Sequence, residues 1–180
     1  TKKKNELSWM FSKEAFGLLL PNFATVLNQP DDLNARGSML LGAALAGCAI
    51  EASMLGAAHS TANPLTAQYD IVHGQAVGMM LPHVVRFNAE QDDARGAYAE
   101  LAAIGKLGQA AMSGEAEESL AKRLTKLLEQ ADMPVRLRAS GVEESMLTTL
   151  AAEAAGQWTA SFNPREVGQA EMESIYRAAF

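Results

Sequence analysis

The chain has 180 residues, 48% of them apolar and 20% charged, the composition of a folded globular protein, which excludes intrinsic disorder. A formal charge of −6 excludes a nucleic-acid backbone as partner, because that partner demands clustered Lys and Arg; the one basic run, Lys2, Lys3 and Lys4, reads as a solvated terminus. A single cysteine, Cys48, excludes an intrachain disulfide framework and fits a reducing compartment.

One domain over residues 1–180 is expected at this length. The apolar run MLLGAALAGCAI, residues 39–50, is too short to cross a bilayer and meets Glu51 at once. No charged n-region followed by an apolar h-region opens the chain, so a cytoplasmic protein without membrane contact is expected. The start at Thr1 fits either removal of a methionine or excision from a longer polypeptide.

Helical periodicity dominates and no stretch alternates with β-branched enrichment, which predicts an all-α fold, a helical bundle. A first helix is expected over residues 6–26, with Pro21 kinking or splitting it. The stretch NQPDDLNAR offers Asp31 or Asp32 as the cap of a second helix, residues 33–58. That helix is apolar nearly all round and rich in Gly and Ala, so it is expected at the centre of the bundle, with Cys48 as a small buried hydrophobe. Further helices are expected in GQAVGMMLPHVVRFNAE, which contains Pro82, and in QDDARGAYAELAAIGKLGQA, with Asp92 or Asp93 near its start. GEAEESLAKRLTKLLEQADM follows, its acids before its bases as the helix dipole favours. VEESMLTTLAAEAAGQW, the loop TASFNPREV and GQAEMESIYRAAF complete the chain.

The second helix ends in HSTANPLTAQYDIVHG, where His59 and His73 bracket thirteen residues expected to form a loop that turns at Pro64. The two rings converge if that loop doubles back. Imidazole is a common ligand of iron and zinc, but two ligands are not a site, and neither the H-x3-5-H nor the C-x2-4-C spacing of structural zinc occurs. Spacing alone leaves two readings open: a metal site, or two histidines that cap helix ends by bonding carbonyls. His83, in LPHVVRFN, is expected to be structural.

Taken together, GAALAGCAIEASMLGAAHSTANPLTAQYDIVHGQAVGMMLPHVVRFN resembles the metal-binding segment of the iron-containing alcohol dehydrogenases. The stretch VLNQPDDLNAR, the NPRE tetrapeptide and the ending IYRAAF extend that resemblance over almost the whole chain. It implies the helical C-terminal domain of the dehydroquinate-synthase-like fold, with His59 and His73 as ligands of a divalent metal, Fe2+ or Zn2+. Family members complete the shell with an Asp and a His on a helix just upstream of the stretch matched by TKKKNELS. That upstream pair, and the N-terminal nucleotide-binding domain, are expected outside these 180 residues, in which no GxGxxG or P-loop motif occurs.

The implied function is NAD- or NADP-linked interconversion of a small alcohol with its aldehyde or ketone, the metal polarising the substrate oxygen. The 180 residues alone are expected to be inactive, and a homo-oligomer stays compatible with the sequence. Asn63 stands where the family commonly has a histidine assigned to proton relay; it is the catalytic candidate, although an amide does not titrate near neutrality. Thr66 replaces a family glycine. Thr159 and Phe162, beside Trp158, match a part that lines the substrate pocket, with core packing the alternative for the two aromatics. Rival readings are a zinc polyol dehydrogenase or maleylacetate-reductase-like enzyme of the same fold, and a non-catalytic helical module.

Overall fold

The computed structural model describes residues 1–107 and 115–180. It is all helical, with no strand among the described residues.

Helix α1 (Glu6–Asn28) opens on a capping box: the Asn5 carboxamide accepts from the Ser8 amide, and the Ser8 hydroxyl accepts from the Asn5 amide. It runs unbroken through Pro21, so the expected split does not occur. Helix α2 (Leu33–Ser53) is capped by Asp32, whose carboxylate accepts from the amides of Asn34 and Ala35. The two pair along their lengths. A Cβ at Gly42 would lie 2.7 Å from the Leu19 side chain, so only glycine allows this approach.

Helix α2 is peripheral, not central. Its buried residues are Ala35, Gly42 and Ala49, seven apart and therefore one narrow stripe, while Leu33, Leu40, Leu41 and Cys48 are exposed. The expectation of a buried Cys48 fails with it. The physical reason is that a helix apolar on all sides has no preferred face, so its composition does not say which neighbour, if any, covers it. The helix also reaches 21 residues, which makes it long and apolar enough to cross a membrane by length and composition, unlike the shorter run read from sequence.

The centre belongs to α3 (Ala57–Tyr69) and α4 (His73–Asn88). The segment expected as a loop is thus mostly helix α3, which continues through Pro64 and ends at Asp70 in the left-handed region (φ 53°). An interior proline costs a helix roughly 3 kcal/mol. Burial of Ala62, Pro64 and Leu65 on the same helix offsets that cost here.

Helices α5 (Asp92–Ile104), α6 (Ala116–Gln130), α7 (Leu147–Ala155) and α8 (Gln169–Ala179) surround this pair. The expected tail of the α5 pattern over 108–110 lies outside the described residues. The main core joins Leu65, Met79, Met80, Leu150, Met172 and Tyr176 of α3, α4, α7 and α8. A smaller cluster around Val85, Leu120 and Ala121 seats α6 against α4, where Arg86 donates to Glu118 at 2.6 Å and holds its carboxyl below the usual range. The chain between α7 and α8 begins as a 3-10 turn, Trp158–Phe162, laid against α3.

Candidate metal centre

His59 lies in the first turn of α3 and His73 is the first residue of α4, so two helix starts carry the two imidazoles. Their ring centroids are 5.5 Å apart and the planes are inclined by 46°. One ion with metal–nitrogen bonds of about 2.0–2.1 Å spans such a separation. Burial pushes the His59 pKa below its ordinary value, and the charge of His73 pushes it the same way. Both causes favour the neutral imidazole, the form that ligates metal. Among the described residues no group of three or more His, Cys, Asp or Glu converges on one point, so the chain offers two donors rather than a full shell.

Asn63 sits one turn beyond His59 on α3 and donates from Nδ2 to Oε1 of Gln157 at 3.0 Å. That orientation leaves Oδ1 as its remaining acceptor. Thr159 is 2% exposed and its hydroxyl is 2.7 Å from that of Ser60, so it braces the loop against α3. Phe162 is half-buried; it stacks edge-on against Trp158 and lies under the Lys3 ammonium, 4.8 Å away. Trp158 itself is 63% exposed, which removes core packing as its role. The Thr66 hydroxyl is buried and has no hydrogen-bond partner among the described residues. His83, set apart from the pair, has its pKa lowered to about 4 by burial and by the charges of Arg86 and Arg136.

Sequence reasoning missed the carboxamide cluster behind the site. Asn163 is 1% exposed. Its Oδ1 accepts from the Ala57 amide at 3.1 Å and from Asn88 Nδ2 at 3.2 Å, while its Nδ2 donates to Asn88 Oδ1 and to the Arg165 carbonyl, both at 2.7 Å. Arg165 donates to the Phe87 carbonyl at 2.9 Å and lies over the Phe87 ring. The NPRE and FN stretches were the available signal, each visible in sequence but not their pairing.

Ser53, at the end of α2, accepts on its carbonyl from the Thr1 hydroxyl at 2.7 Å, and Lys2 donates its amide to the Phe162 carbonyl at 2.8 Å. Residue 1 therefore lies against the end of α2 and residue 2 against the loop that carries Phe162. A cavity of about 760 Å3 between α1, α2 and α5 is lined by Trp9, Phe16, Ile50, Met54, Tyr98 and Leu101 among others; neither histidine of the pair lines it.

Known proteins are similar to this chain in sequence and in the arrangement of helices. The sequence model of the Fe-containing alcohol dehydrogenase family, C-terminal, matches residues 1–180. The 1,3-propanediol dehydrogenase of Klebsiella pneumoniae is 30% identical over 181 residues, covering 100% of this chain and 46% of that protein. Lactaldehyde reductase of Escherichia coli strain K12 is 31% identical over 150 residues, covering 83% of this chain and 39% of that protein. The crystal structure of a 1,3-propanediol oxidoreductase superposes with a TM-score of 0.92 at 29% identity, over 99% of this chain and 46% of that one. The chain thus spans about half the length of these relatives.

Proposed function

This chain belongs to the Fe-containing alcohol dehydrogenase family, whose C-terminal helical part it carries, and on that premise we propose that it forms the metal-binding wall of an NAD(P)-linked alcohol dehydrogenase acting on a small alcohol and its aldehyde or ketone. The observation that supports this most directly is the approach of His59 and His73 to 5.5 Å between ring centroids. These two residues would hold the metal, iron by the family's description, and two neutral imidazoles suit it as donors. When bound, such an ion supplies Lewis acidity toward a substrate oxygen. On this reading the remaining ligands, an Asp and a His, come from a helix just upstream of residue 1. The nicotinamide site lies in a separate nucleotide-binding domain of the polypeptide, and residues 1–180 act as one helical domain beside it.

The chain's own residues then have distinct tasks. Asn63, fixed through its Nδ2 by Gln157, presents an acceptor to the substrate hydroxyl and moves no proton itself, because an amide does not titrate near neutrality. Phe162 shapes the pocket wall, and Thr159 holds that wall to α3 through Ser60. The relatives' names, 1,3-propanediol dehydrogenase and lactaldehyde reductase, point to short oxygenated substrates. The enzyme is read as a soluble cytoplasmic protein.

The test uses the full-length polypeptide, reconstituted anaerobically with Fe2+ and assayed with 1,3-propanediol and NAD or NADP. His59→Ala and His73→Ala are each expected to lose bound iron and at least a hundredfold in turnover. Retention of stoichiometric iron by both variants would overturn the reading.

A further inference from the structure

The start of α3 lacks the side-chain cap that α1 and α2 possess. Its N-cap residue is Gly56, which has no side chain to accept from the first-turn amides. Those amides are orphan donors that a helix satisfies by a cap or another partner. Here the partner comes from 106 residues away in sequence: Asn163 Oδ1 accepts from the Ala57 amide at 3.1 Å. A Cβ at residue 56 would come within 3.1 Å of that same oxygen, so glycine at the N-cap makes room for the distant carboxamide.

The bond is one of three. Ala57, Ser60 and Asn63 recur every three residues and so share one face of α3. They are hydrogen-bonded in reverse order by Asn163, Thr159 and Gln157. The segment 157–163 therefore runs along α3 as a splint, and His59 stands within the span it holds. Asn163 in turn is locked by Asn88 on both sides of its amide and by the Arg165 carbonyl, so its oxygen cannot swing away.

We propose that Asn163 is a positioning residue for the metal centre: by capping α3 from outside the helix it fixes the azimuth and depth at which His59 presents its imidazole. This rests on the reading of His59 as a ligand. Two consequences separate it from a merely structural bond. Loss of the cap lets the first turn of α3 fray, which weakens metal binding even in folded protein, and it changes the ligand field that His59 imposes.

The experiment uses the full-length polypeptide, freed of metal and titrated with Co2+ alone, whose visible spectrum reports the ligand field. Asn163→Ala is expected to raise the Co2+ dissociation constant at least tenfold and to shift the visible band, in protein whose circular dichroism is that of the parent. Leu120→Ala, a cavity in the α4–α6 cluster away from α3, serves as a destabilised control and is expected to do neither. If Asn163→Ala does not fold, Gly56→Ala carries the test through the crowded oxygen, with a smaller loss of about threefold expected. Parent-like affinity and spectrum in the folded variant would overturn the inference. His59→Ala separates the two levels: if it weakens Co2+ binding while Asn163→Ala does not, only this inference falls, and if it leaves binding unchanged, the ligand assignment falls and this inference with it.

Discussion

The α1–α2 hairpin and the α3–α4 pair are both rich in small apolar residues, yet the chain uses them in opposite ways. In α2 three residues are buried, on one stripe against α1. In α4 seven are buried, and α3 buries six over only 13 residues. The difference lies in the neighbours: α4 packs against α3, α6 and α8 at once, whereas the hairpin helices pack chiefly against each other. Apolar composition states that a segment tolerates burial, and contact on several sides is what achieves it.

The largest separation between the two regions is expected from paired leucine truncations. Leu65→Ala removes a fully buried side chain of the main core and should lower unfolding free energy by about 2–5 kcal/mol. Leu40→Ala, at a position 73% exposed, should stay within about 0.5 kcal/mol. Denaturant unfolding of the 180-residue chain checks both, and equal losses would erase the distinction.

An acid titration sharpens it. His83 of α4 takes up its proton near pH 6.5 when unfolded but only near pH 4 when folded. Between those values the unfolded state binds more protons, so stability is whole above pH 6.5 and falls as the pH drops toward 4. His83→Gln should flatten the decline over that window, measured as the thermal midpoint against pH. No histidine lies in the hairpin, so the effect is confined to the α3–α4 side.

The smallest effects concern Asn63 and Cys48. In the full-length polypeptide, read as the enzyme proposed above, Asn63→His should introduce a titrating group one turn from His59 and bend the pH profile of kcat near neutrality; an unchanged profile would show that a histidine at this position relays no proton. Cys48, exposed on α2, should react with a thiol reagent in the native state, and Cys48→Ser should leave the unfolding midpoint nearly unchanged.

Much of the architecture was legible from residues alone. Three- and four-residue apolar spacing announced an all-α chain and Asp31 or Asp32 announced the start of α2, whereas the paired histidines left two readings open and were read as a candidate centre only through the family resemblance. What escaped was whatever depends on partners distant in sequence. Pro64 signalled a turn because its local cost is visible and the burial that offsets it is not. The placement of α2 escaped because an all-round apolar helix carries no directional information. Gln157 and Asn163 escaped because a neutral carboxamide looks the same in a solvated loop as in a buried network, and their partners lie 94 and 106 residues away.

The three-rung contact between residues 157–163 and α3 also limits how this chain can change. Consecutive rungs on α3 are three residues apart, a rise of about 4.5 Å along the axis, and the opposing segment must keep pace over the same distance. Exchange of one side chain there leaves the count intact, but a one-residue insertion or deletion misaligns the rungs beyond it. Change in this segment is therefore reachable by substitution, while changes in loop length are closed to it.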